Sequence, residues 1–261
     1  MPINYVRRLT GRKRTPGANR HLGFALAFVA GAINAGGFLA VQQYTSHMTG
    51  IVSSMADHLV LGDYDVVLGG AGGLVSFVAG AASSAVLVNY ARRRRMHSEY
   101  ALPLLVEASL LIFFGVLGAR LSSMRGFFVP ATVMLLCFIM GLQNAVITKL
   151  SQAEIRTTHL TGIVTDIGIE LGKLSYRNAA GPPSHLRVVA NRDRLRVLTL
   201  LVVFFFVGGL LGAVGFKHVG YVSTVPLAML LLAFAIVPAF DDLANLSRRW
   251  SRAARQARRR Q

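Results

Sequence analysis

Six apolar runs, about 22–41, 66–90, 101–121, 127–149, 196–216 and 220–240, occupy most of this 261-residue chain. Each is long enough to cross a hydrocarbon core of about 30 Å, which takes about 20 helical residues. Inside lipid the backbone must satisfy its own hydrogen bonds, and a run of this length does so as a helix. The expected fold is therefore an all-α membrane protein with six transmembrane helices. Charged residues make up only 15% of the chain, and its net charge of +17 falls in blocks between the runs. That placement makes the charge a matter of topology, and no nucleic-acid partner is expected.

If all six runs cross, 25 of the 28 Lys and Arg residues lie on one side, leaving Arg120, Arg125 and Lys217 on the other. By the positive-inside bias, the N and C termini are cytoplasmic in a bacterial inner membrane. The basic ends, 1–21 and 241–261, are expected to rest on anionic lipids, at about 1 kcal/mol per cation near the surface. The first run follows a basic stretch, but its apolar core is too long for a signal peptide and no convincing cleavage site follows it. Cys137 is the single cysteine, which excludes an internal disulfide and a cysteine metal cluster.

The chain repeats itself. Ser46-His47-Met48-Thr49-Gly50-Ile51-Val52-Ser53 returns as Thr158-His159-Leu160-Thr161-Gly162-Ile163-Val164-Thr165, and each copy follows a run carrying Gly-x-x-Asn-Ala, at Gly31 to Ala35 and Gly141 to Ala145. Phe77 to Gly80 is echoed by Phe206 to Gly209. The halves, 22–121 and 127–240, hold three spans each, and an odd number per repeat inverts the second against the first. The motif segments, 46–61 and 158–173, would reach only about 22–24 Å as helices. They also carry Asp57 and His58, or Asp166, Glu170 and Lys173. They are expected to be re-entrant or partly inserted half-helices lining a cavity, one approached from each face. A cytoplasmic linker, about 175–195, contains Gly181-Pro182-Pro183.

The motifs supply the candidate binding residues: His47, Thr49, Gly50 and Ser53 in the first copy, His159, Thr161, Gly162, Thr165 and Asp166 in the second, with Asn34 and Asn144 from the preceding spans. Projected as helices, His47, Gly50, Ser54 and His58 share one face, and His159, Gly162, Asp166 and Glu170 the other copy's equivalent. Glycine admits close approach, hydroxyls bind or cap, and a half-helix start favours an anion. Histidine titrates near neutral pH, so His47 and His159 are candidates for proton coupling. Glu107, a carboxyl inside a span, and Glu170 join them. A packing role stands beside each of these readings, because small residues and Thr at helical spacing also join helices in lipid. Asn34 and Asn144 either hold the repeats together or line the cavity.

No metal is expected: His47 and His58 lie about 16 Å apart on a straight helix, too far for one ion. No His-Glu-x-x-His, Walker or dinucleotide pattern occurs, so no cofactor is expected either, and the chain does not read as an enzyme.

Thr45-Ser46-His47-Met48-Thr49-Gly50 and Thr157-Thr158-His159-Leu160-Thr161-Gly162, with Thr165-Asp166-Ile167-Gly168 and Leu171-Gly172, resemble the YoaK-like family of bacterial integral membrane proteins of unknown function. The resemblance covers about 22–242, and implies a six-span inner-membrane protein but no substrate. That family often has Asn after the first Thr-Gly, where this chain has Ile51. The expected function is a secondary transporter or facilitator of a small polar solute. The alternative is a non-transporting scaffold in which the motifs serve helix packing. Small-residue surfaces would permit a homodimer.

Overall fold

The structure, a computed structural model, describes residues 15–96, 98–121, 125–150, 160–178 and 187–258. Its helices are α1 (Pro16–Val41), α2 (Met48–Leu61), α3 (Tyr64–Arg93), α4 (Ala101–Leu121), α5 (Arg125–Leu150), α6 (Leu160–Ser175), α7 (Arg192–Val219) and α8 (Thr224–Arg258). A 3-10 turn, Gly220–Ser223, separates the last two, and the described residues contain no strand. Four stretches are long and apolar enough to cross a membrane: Gly17–Val41, Tyr64–Arg93, Pro130–Lys149 and Arg192–Asp242. The last, 51 residues, is far longer than one span needs. Gly220 divides it, at φ 70° and ψ −146°, a conformation open only to glycine. A shorter apolar stretch, Ala101–Val116, lies within α4.

Three helix pairs build the bundle. α1 and α7 run parallel: Phe24 stacks on Phe204, Gly208 meets the Phe28 carbonyl, Gly212 the Ala32 carbonyl and Gly36 the Phe216 ring. α3 and α5 also run parallel, with Gly72 beside Met134, Gly73 beside Cys137 and Gly141 against the Phe77 carbonyl. α4 and α8 run antiparallel. The amide of Ser98, just before α4, donates to Asp242 Oδ2 at 2.7 Å, and Thr224 Oγ1 at the start of α8 donates to the Leu111 carbonyl at 3.0 Å.

Lipid tails are as apolar as leucine, so burying Leu22, Leu26, Leu104, Leu136 and Leu231 against each other yields little that lipid contact would not. Close backbone approach and polar bonds must therefore choose the partners. A methyl group on Gly31 would collide with the Phe205 carbonyl, and one on Gly208 with that of Phe28. The other parallel pair repeats this: Gly141 faces the Phe77 carbonyl and Gly80 that of Phe138. Phe28 and Gly31 thus correspond to Phe138 and Gly141, and Phe77 and Gly80 to Phe205 and Gly208. The match of Phe77 to Phe206 expected from sequence is therefore one residue out of register. The run Phe204-Phe205-Phe206 permits either alignment, and the carbonyl contacts select Phe205.

The Ser98–Asp242 bond is buried and joins the start of α4 to α8. Asp242→Ala is expected to lower stability by about 1–2 kcal/mol, the cost of an orphaned helix-start amide. Asp242→Asn keeps an acceptor and should lose less. Thermal melts of the detergent-solubilised protein measure both.

Candidate functional site

α1 ends in an uncommon way. Gln42 caps it in the left-handed conformation, φ 56° and ψ 25°, its amide donating to the Phe38 carbonyl at 2.7 Å. A non-glycine residue there marks local backbone strain. The chain then leaves helical form until Met48, and Tyr44 folds back to stack on Phe38 at 4.6 Å. Asn34 holds this break in place: its Oδ1 accepts from Ser46 Oγ at 2.8 Å and from the Ser46 amide at 3.3 Å.

The motif helix therefore starts two residues later than its sequence segment, at Met48 rather than 46. His47 is its N-cap, with φ −95° and ψ 70° and no side-chain capping bond. The first helical bond runs from the Ile51 amide to the His47 carbonyl at 3.0 Å. Gly50 has a concrete use here: a methyl group on it would collide with the His47 ring. At the other end Gly62, at φ 81°, caps α2 before the turn into α3. The second motif helix, α6, is described from Leu160 onward. His159 lies outside the described residues.

Both motif helices open onto one cavity of about 520 Å³. Its wall takes matching residues from the two halves: Asn34 and Asn144, Thr49 and Thr161, Phe77 and Phe205. Ser46, His47, Met48 and Tyr44 complete it on one side, Leu160 and Gly162 on the other. The carbonyls of Phe77 and Phe205 are those that touch Gly141 and Gly31, so the cavity adjoins the glycine crossings. The first turn of α2 borders it, so the positive end of that macrodipole lies there, and the described part of α6 begins beside it.

Of the residues singled out from sequence, the structure brings Asn34, His47, Thr49, Asn144, Thr161 and Gly162 together at this cavity. Gly50 sits beneath His47 rather than in the wall. Ser53 is exposed on α2, outside the wall, and Thr165 Oγ1 donates to the Thr161 carbonyl at 2.9 Å. Asp166 and Glu170 face α7. Asp166 Oδ2 pairs with Arg194 at 3.0 Å. Glu170 is 2% exposed and accepts from Lys173 Nζ at 2.9 Å and from the Asn191 amide at 2.7 Å. Those two donors, Lys173 first, hold its carboxyl below the usual carboxylate range. Glu107 is wholly buried on the face of α4 that carries Leu104, Ala108 and Leu111, apart from the cavity, and neither carboxyl oxygen has a hydrogen-bond partner among the described residues.

Sequence reasoning overlooks Tyr44 and misses Phe77 and Phe205 as lining residues. For the two phenylalanines a signal exists, the echoed Phe-x-x-Gly, but its register in the second half is ambiguous by one position. Tyr44 gives none: it gains its place from the left-handed turn at Gln42.

Long apolar helices, paired through glycines around a cavity of mixed polar and apolar lining, define a polytopic membrane-type protein. The chain belongs to the DUF1275 family, described as proteins of unknown function, which it matches over residues 22–237. No curated protein and no solved structure matches it.

Proposed function

We propose that this is a six-span protein of the bacterial inner membrane, both termini cytoplasmic, that passes a small polar solute by secondary transport or facilitated diffusion without a catalytic step. The cavity onto which both motif copies open carries this reading. In the proposed arrangement α1, α3, α4, α5, α7 and α8 cross the membrane, and the halves are inverted repeats. Alternating crossings make α1 and α7 run the same way, α3 and α5 the same way, and α4 and α8 opposite ways. Those are the directions of the three pairs. Exchanging the halves turns the first pair into the second and the third into itself, as a repeat axis through the cavity requires.

Two motif segments meeting at a solute site between repeats is a known transporter layout, and rocking one repeat against the other gives alternating access. His47 is the histidine in the described wall and the leading candidate for proton coupling, with His159 its counterpart by repeat. The basic ends hold the chain to the anionic leaflet. A scaffold without transport accounts for the glycine crossings. It has no use for a cavity carrying Asn34, His47, Thr49, Asn144 and Thr161 where both motif copies open, so it ranks second.

Flux of a panel of small polar solutes into proteoliposomes, with and without a proton gradient, tests the reading. His47→Ala combined with His159→Ala is expected to fold normally and cut flux at least about tenfold, the worth of one lost polar contact to the solute. Unchanged flux of every carried solute would remove the motifs from the pathway.

A further inference from the structure

The two motif helices are fastened to the bundle by different means. α2 lies close on α3: Ile51 and Met55 sit on Gly70, which a methyl group would force away. In the alignment that matches Gly80 to Gly208, the counterpart of Gly70 in α7 is Leu198, which is buried. A helix cannot approach Leu198 as closely as Gly70, and α6 is held at its far end by ions instead. Asp166 and Glu170, one turn apart, grip the first turn of α7 through Arg194 and the Asn191 amide. Asn191 is itself the N-cap of α7, its Oδ1 accepting from the Arg194 amide at 2.9 Å. Below this grip the linker is closed at its base, where Asn178 and Val188 exchange bonds of 3.0 and 2.9 Å. In the alignment that matches His47 to His159, the corresponding positions in α2 hold Ser54 and His58. These bond to one another, His58 Nδ1 lying 2.8 Å from the Ser54 carbonyl oxygen.

We infer that α6 is the movable wall of the cavity, and that Asp166 and Glu170 form the catch that keeps its Thr161–Gly162 end in place. Releasing α2 would unpack side chains from a glycine surface; releasing α6 requires parting two carboxylates from their partners. Ile163 is buried on α6 and Ile167 packs partly against the core, and beside these apolar contacts the bonds of Asp166 and Glu170 to α7 hold the helix down. Interactions of this kind belong to the low-stability end of a fold, from which moving elements are drawn.

The charged groups facing Glu170 are Lys173 on its own helix and Arg194 on α7, with the Asn191 amide between. Because they hold its carboxyl below the usual range, the catch contributes fully above that range and is lost as pH falls through the lowered value. It is therefore closed at neutral pH. The inference deepens the transport reading and rests on it for its purpose, but its test uses no solute.

Amide hydrogen exchange on the full chain in lipid nanodiscs supplies that test. In Glu170→Gln, amides 164–174 are expected to exchange about tenfold faster at neutral pH, the effect of losing a charge-assisted bond on local opening. Amides 52–61 of α2 should keep their rate. Asp166→Asn, which alters only the half-exposed bridge, should speed α6 by a smaller factor and serves if Glu170→Gln does not fold. Asp166→Arg with Arg194→Asp should return α6 to the wild-type rate, where either change alone does not. Thr161→Cys, combined with Cys137→Ala, should be labelled faster by a small thiol reagent once Glu170 is replaced. Wild-type exchange of α6 in both carboxyl variants overturns the inference, as does equal acceleration of α2 and α6. A chain that carries no solute yet shows the selective α6 response would overturn the transport reading and leave the catch standing.

Discussion

Gly31→Leu is expected to prevent α1 from docking on α7 and to be among the most destabilising single changes in the bundle. A side chain at this position begins well inside the van der Waals contact distance of the Phe205 carbonyl oxygen, with the Gly209 amide also close. Neither neighbour is a flexible side-chain end that could swing away; both are helix backbone, so one helix must move bodily. Overpacking a core ordinarily costs about 1–3 kcal/mol, and displacement of paired backbones belongs at or beyond the upper end. Lipid leaves little hydrophobic gain to offset this. Gly141→Leu should behave alike, because it meets the Phe77 carbonyl in the same geometry. Gly69→Leu is the control: no atom lies within 4 Å of its added carbon. Size-exclusion profiles and thermal melts in detergent compare the three. A Gly31→Leu protein that is monodisperse and melts with the wild type would mean that α1 and α7 do not cross here.

Asn34→Ala should loosen the cavity without unfolding the bundle. Asn34 Oδ1 is the acceptor for both Ser46 Oγ and the Ser46 amide, and these bonds bind the chain break to α1. Two neutral hydrogen bonds at about 1 kcal/mol each correspond to about 30-fold in the local opening of the break and the first turn of α2. Exchange of amides 46–51 reads this directly, and flux in proteoliposomes should fall by a comparable factor. Asn34→Asp retains an oxygen acceptor and should restore most of the protection. Ser46→Ala removes one of the two bonds and should be non-additive with Asn34→Ala, as expected of contacting groups. Additive effects would show that Asn34 acts on the cavity directly and not through Ser46.

The long apolar helices and the doubled motif are legible in the sequence because they rest on short-range pattern. Apolar length alone marks α1, α3 and α5, and a doubled string marks the two motif helices whatever their surroundings. The cavity membership of Asn34, Asn144, Thr49 and Thr161 is within reach for the same reason, since the repeat itself pairs them. What cannot be read is decided across the chain. By helical spacing Asp166 and Glu170 share a face with His159 and Gly162, which suggests solute or proton ligands. Their partners, Arg194 and the Asn191 amide, lie 28 and 21 residues away, across the linker. The spacing of His47 to Gly50 and Ser54 fits a helix; a left-handed residue at Gln42 and a bond from Ser46 to Asn34 hold His47 outside it. No periodicity encodes either.

The parallel pairs bear on how the chain is made. Each joins helices from different halves: α1 waits for α7, and α3 for α5. Between the end of α1 at Val41 and the start of α7 at Arg192, everything from α2 to α6 must be synthesised. Throughout that interval the Gly31 face of α1 is without its α7 partner, while α3 finds its mate sooner. The partners of the crossing glycines lie in the opposite half: Gly31 meets Phe205, Gly80 meets Phe138, Gly141 meets Phe77 and Gly208 meets Phe28. A ribosome stalled before α7 would leave a nascent chain with one crossing made and the other impossible.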